Sequence, residues 1–169
     1  MNIKEQVLAN RSKMKTISIV NYIGYDKQRF KELVDLFLGT DKETTQRSAW
    51  VYSYCIEANP DLITPFHALL IKELGNKKHN AILRRAIMKA YQIAPIPTEY
   101  ESLLFDISIK FLIDSIQPVT VKVYSMATAL RIAKRYPELK NELKTVIEAG
   151  KENGSPAYLA WSRKILKEL

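Results

Sequence analysis

Residues 98–115 read TEYESLLFDISIKFLIDS, and their spacing decides the fold class. Leu103, Leu104, Ile107 and Phe111 fall at i, i+1, i+4 and i+8, and only Lys110 interrupts the stripe. That period belongs to a helix and not to a strand. Phe105, Ile109, Leu112 and Ile113 widen the apolar surface to most of the circumference. A helix so apolar on so many sides is expected to be sandwiched between neighbours rather than laid on a surface.

Working outward, the same punctuation recurs in both directions. Gly24, Gly39, Gly75, Gly150 and Gly154 each fall near the end of a proposed helix, where a residue without Cβ accepts a left-handed backbone cheaply. Thr40-x-x-Glu43 and Thr98-x-x-Glu101 have the form of capping boxes. Asn59-Pro60 and Ser155-Pro156 place a cap before a proline at the first helical position. Tyr136-Pro137 and Gln117-Pro118 mark further boundaries, because a residue before proline resists the α region. The spacing predicts helices over 2–11, 14–23, 26–38, 43–58, 60–75, 79–94, 98–115, 119–135, 137–150 and 155–168. The β-branched run from Val119 to Val123 continues into Met126–Leu130 and is expected to be helical too. The predicted core contains Ala49, Ile56, Leu69, Ile87, Leu104, Ile107, Phe111, Ala129, Ile132 and Leu143.

The helices repeat. Pro60-Asp-Leu62 recurs as Pro137-Glu-Leu139 after 77 residues, which is two steps of about 38. Arg47, Arg85 and Lys122 are separated by 38 and 37 residues, and Arg163 follows after 41. Two helices per period is the mark of an α-solenoid, whose units bury their apolar faces by stacking. Pro-x-Leu opening a first helix, then Val121-Lys122 with Ser125, Ala127 and Ala129 opening a second, resembles a HEAT repeat, and Asp41 six residues before Arg47 fits the Asp–Arg spacing of such units. At the matching positions His79, Ile116 and Ala157 that Asp is missing. The nearest resemblance is to small bacterial HEAT-like (armadillo-type) proteins with no assigned reaction. It implies an all-α, right-handed superhelix of about four helix pairs over 26–168, with capping helices in 1–25, the whole of 1–169 forming one domain. It also implies that the second helices line a concave face.

Charge is distributed unevenly over those two layers. The chain carries a formal +8; the second helices alone sum to +8 and the first helices to −5, with the remainder in residues 1–25 and at Lys77 and Lys78. A concave wall of one sign focuses potential on an oppositely charged ligand. Arg84, Arg85, Lys89, Lys122, Arg131, Lys134, Arg135, Arg163 and Lys164 are the candidate binding cations, with Trp50 and Tyr54 beside them. Two structural readings compete. Arg85, Lys122 and Arg163 recur at the repeat period and could be spacers bonded to neighbouring carbonyls, and Lys134 and Arg135 sit where cations favour a helix C-terminus. Trp50, Trp161, Tyr54, Tyr91 and Tyr124 could stack bases, although aromatics at helical spacing are more often core.

Chemistry for catalysis is sparse. His67 and His79 are the only histidines and Cys55 the only cysteine, so no zinc site of ordinary ligand spacing can be assembled. His67 and Cys55 are expected to be core residues. Glu99, Glu101, Asp106 and Asp114 read as caps and solvated faces. HEAT-like alkylpurine DNA glycosylases share a basic layer with Trp residues, but the second helices here hold only Glu43, Glu57 and Glu168 as acids, and the catalytic Asp of that class is missing. No phosphate-cradling glycine motif, cofactor site or metal site is expected, and an enzymatic role is disfavoured. The charged N-terminus is not a signal peptide and no stretch approaches a membrane span, so with one free thiol the cytoplasm is the expected location. The expected function is that of a binding scaffold whose basic layer holds an acidic protein segment. The alternative is nucleic acid held through phosphate contacts.

Overall fold

The computed structural model describes residues 1–76 and 81–169. Every regular element among them is a helix. The α-helices are α1 Ile3–Leu8, α2 Lys13–Ile23, α3 Lys27–Phe37, α4 Lys42–Ala58, α5 His67–Leu74, α6 Ala81–Ala90, α7 Thr98–Ile113, α8 Val119–Ala133, α9 Lys140–Ala149 and α10 Pro156–Leu166. Short 3-10 segments, Pro60–Phe66 and Pro137–Leu139, precede α5 and α9. Both begin at the Pro-x-Leu motif, so the two positions predicted as plain helix starts are tightened turns that feed a helix. The chain forms two compact units, Met1–Pro95 and Ile96–Leu169.

In the first unit, α4 is the hub. It packs against α1, α2, α3, α6 and the 3-10 segment. Phe37 and Phe30 stack on its Tyr52 at 4.6 and 5.8 Å between ring centroids, and Phe66 meets Phe30 edge-on. In the second unit, α7 packs on α8 and α9, and α8 on α9 and α10. Each large aliphatic side chain buried there contributes about 1.5–3 kcal/mol, which is why α7 and α8 need few polar caps. Neither has a side-chain cap hydrogen bond at its N-terminus.

Nine of the ten predicted core residues are buried; Leu69 is 39% exposed. The stripe that α5 buries is His67, Leu70, Ile71 and Leu74, because Pro65 holds the preceding turn in 3-10 geometry and α5 starts its own phase at His67. On α7, Leu103 and Ile113 are exposed as well, and the buried stripe runs through Glu101, Leu104, Phe105, Ser108, Phe111 and Leu112. Ser108 sits at its centre by donating to the Leu104 carbonyl at 2.7 Å.

Several local signals resolve differently from their sequence form. Asp41, not Thr40, caps α4, accepting from the Thr44 amide at 2.8 Å, and its carboxyl is held below the usual range chiefly by Thr44. Asp41 therefore makes no Asp–Arg ladder: Arg47 donates to Glu43 and to the Asn10 carbonyl. Asn59 spends its side chain on the Gly24 carbonyl at 2.9 Å instead of capping. Ser155 does cap α10, accepting from the Tyr158 amide. Of the five glycines only Gly24, at φ 52°, has a positive φ. Gly150 is needed for a different reason: a Cβ there would lie 2.1 Å from the Tyr158 hydroxyl.

Candidate functional site

The second helices place the candidate cations in two separate sets. In the first unit α6 carries Arg84, Arg85 and Lys89 and packs on α4, which carries Trp50 and Tyr54. Lys89 is bound to Glu57 of α4 at 2.6 Å. Arg84 is half-buried and donates to the Asn76 carbonyl. Arg85 is exposed. Trp50 is 46% exposed and lies 6.5 Å from the half-buried Tyr54 ring, whereas Tyr91 is fully buried. The aromatics of this layer therefore divide between surface and core.

In the second unit α8 and α10 pack side by side and contain Lys122, Arg131, Arg163 and Lys164 with no acid. Lys134, just past α8, is bound to Glu168 at 2.6 Å. Lys164 lies 4.9 Å over the ring of Trp161, a cation–π contact. Arg131 is half-buried; burial, with the neighbouring charge of Arg135, lowers its guanidinium pKa. Arg163 is exposed and Lys122 partly so.

The period-related cations thus behave unequally. Arg47 is the spacer that the repeat pattern suggests, reaching the Asn10 carbonyl at 2.6 Å. Arg85, Lys122 and Arg163 make no such bond among the described residues. Lys89 and Lys134 are neutralised within the chain.

Two features were missed from the sequence, both in the second unit. Glu101, expected on a solvated face or in a capping box, is 2% exposed and accepts from Arg135 and from the Tyr136 hydroxyl. That bond to Glu101 raises the Tyr136 phenol above its ordinary value. Arg135 is therefore committed to Glu101. The signal was present: Glu101 falls three and four residues before Leu104 and Phe105, on the stripe itself. Around it lies a cavity of about 310 Å³ floored by Phe105 and Ile132 and edged by Asp106, Glu138 and Glu142. The other feature is a groove of about 570 Å³ where the α7–α8 and α9–α10 turns lie together.

Among the described residues, His67 and Cys55 lie in the core of the first unit. His67 is 3% exposed, with Nδ1 3.1 Å from the Tyr91 hydroxyl. Cys55 is 1% exposed, and burial pushes its thiol up to about 12, the opposite of nucleophile activation. Among the described residues no group of three His, Cys, Asp or Glu side chains could hold a metal ion. His79, Lys77 and Lys78 lie outside the described residues. No helix among the described residues is long and apolar enough to cross a membrane.

Helix pairs whose second members pack on one another, within each unit, define an all-helical repeat protein. A family model for the HEAT repeat domain matches residues 3–169, and the chain belongs to that family. No curated protein and no solved structure matches it.

Proposed function

We propose that the chain is a non-enzymatic binding scaffold whose second-helix cations hold an acidic segment of a partner protein. Membership of a HEAT repeat family supports a scaffold role in general, because stacked helix pairs offer extended surfaces rather than reaction centres. The observation that carries the finer reading concerns Arg85, Lys122 and Arg163 among the described residues. Three cations at corresponding repeat positions hold neither a carboxylate nor a carbonyl among the described residues. Unpaired charge repeated along a scaffold is available to an anionic ligand without first breaking an internal bond.

The test is affinity capture from a native lysate with and without nuclease, using the wild-type chain and the Arg85→Glu, Arg163→Glu double variant. An acidic protein partner gives nuclease-resistant capture that the double variant loses, with its helical circular dichroism unchanged. Nucleic acid gives capture that nuclease abolishes, with log affinity falling steeply and linearly against log salt. Unchanged capture by the double variant means that these cations are solvated surface and ends the proposal.

A further inference from the structure

The second unit contains a groove whose chemistry differs from everything around it. It is lined by Leu112 and Ile113 from the end of α7, Ser115 and Gln117 in the turn, Val119 and Lys122 from the start of α8, Thr145, Val146 and Ala149 from α9, Gly150, Asn153, Gly154 and Ser155 from the turn that follows, and Tyr158 of α10. Its volume of about 570 Å³ is within the ordinary range of ligand pockets, roughly 300–1,000 Å³. Two properties stand out. The walls are mainly apolar; Ile113 among them is 67% exposed, and Ile116 of the following turn is 87% exposed. And the lining contains one cation, Lys122, and no acid.

Two nearby carboxylates, Asp114 and Glu148, are already engaged, and Glu152 is exposed and outside the lining. Asp114 accepts from the Ile116 amide and the Gln117 side chain, and Glu148 is bound to Lys151 at 2.8 Å. The back wall is Tyr158, whose hydroxyl donates to the Ile147 carbonyl at 3.2 Å, and it lies so close to Gly150 and Gly154 that a Cβ at either would strike it. The groove is therefore fixed by a buried side chain and not by a loop free to collapse into it.

An apolar trough with a single unpaired cation at its edge has an unambiguous complement. We infer that this groove docks the anchor of an acidic partner segment: an aliphatic or aromatic side chain fills it, and a carboxylate close by in the same segment meets Lys122. The inference rests on the function proposed above and adds to it a place and a composition. The cations alone set charge preference, which is weakly directional; a desolvated apolar anchor supplies most of the affinity in such contacts. The acid-edged cavity around Glu101, in the same unit, has the opposite sign and repels the same segment.

The test uses the full chain and a fluorescein-labelled synthetic peptide alternating Glu and Asp with Leu and Phe. Two controls carry Ser at every apolar position, or Lys at every acidic one. Expected is saturable one-to-one binding of the first peptide, with both controls weaker by about tenfold or more. Lys122→Glu, and Ala149→Phe at an exposed lining position, should each weaken it by a similar factor, whereas Lys27→Glu, at an exposed cation of α3, leaves it within about threefold. Amide shifts in the wild-type chain should concentrate at residues 112–122 and 145–158, a readout independent of whether any variant folds. If the Ser control binds equally well, or the shifts fall elsewhere, the groove is not the anchor site. If Arg85→Glu and Arg163→Glu abolish binding while Ala149→Phe does not, the cation layer holds the segment, so the proposed function stands and this inference falls. Failure of every acidic peptide to bind overturns both.

Discussion

In the first unit the Tyr52 hydroxyl is fully buried and finds no partner among the described residues; in the second the Glu101 carboxylate is equally buried and holds two donors. The two cores are otherwise alike in kind, helix packed on helix around aliphatic and aromatic side chains. They differ in how they accommodate polarity. Tyr52 is carried by the stacking of Phe37 and Phe30, and its hydroxyl adds nothing to that packing. Burial, with Tyr91 and Cys55 close by, pushes its phenol well above the ordinary value, so it stays neutral. Glu101 is an ion, and an ion below the surface is tolerated only with its partners in place. A repeat scaffold can thus hold a wasted hydroxyl at low cost in one unit and depend on a complete ionic network in the next.

Removing Arg135 tests that dependence and should have the largest effect. Arg135→Ala leaves Glu101 buried with Tyr136 alone and should lower stability by about 2–3 kcal/mol, somewhat under the usual cost of breaking a buried pair because the Arg135 side chain is 57% exposed. Urea denaturation at pH 7 measures it. Glu101→Gln keeps an acceptor for both donors and should cost less than Arg135→Ala. If it costs more, the carboxylate charge itself holds the unit together.

Two glycines at matching helix ends extend the comparison. Gly150 and Gly75 both close a helix with right-handed backbone, at φ −73° and −77°. Gly150→Ala should cost about 2 kcal/mol, because its Cβ would displace the Tyr158 hydroxyl from Ile147. Among the described residues Gly75→Ala meets only the Lys72 carbonyl at 3.5 Å and should be neutral or stabilising by up to about 1 kcal/mol. Thermal melts of the two variants should move in opposite directions. Equal losses would mean that glycine is needed at these ends for its backbone and not for the space it leaves.

The smallest effect belongs to the wasted hydroxyl. Tyr52→Phe should leave stability unchanged or raise it by less than about 1 kcal/mol, since it deletes a buried group with no partner and keeps both ring stacks. A clear loss in urea denaturation would reveal a partner for that hydroxyl.

The helices were legible in the sequence because their signals are local: apolar period, proline boundaries and glycine stops. Nine of ten core residues followed from the same pattern. What the pattern could not carry was phase and partnership. Leu69 went wrong because a 3-10 turn set the phase of α5, and 3-10 and α turns share their proline signature. Glu101 went wrong because its partners are 34 and 35 residues away in sequence, so a capping box was the nearest local explanation for it. Lys134 and Arg135, predicted inside a helix, lie just past α8, and the engagement of Lys89 and Lys134 depends on Glu57 and Glu168, whose reach is a property of packing. The groove left no sequence signal at all, since it is built from the ends of four elements.

Cys55 gives the chain a chemical clock. It is the only thiol, it sits on α4 at the hub of the first unit, and its proton is held until about pH 12. A thiol reagent must therefore wait for an opening event that both exposes the sulfur and lets it ionise. When reclosing is faster than alkylation, the modification rate is the intrinsic rate multiplied by the opening equilibrium. Each modified molecule records one excursion of the first unit, and the second unit, without a thiol, is silent in the same measurement.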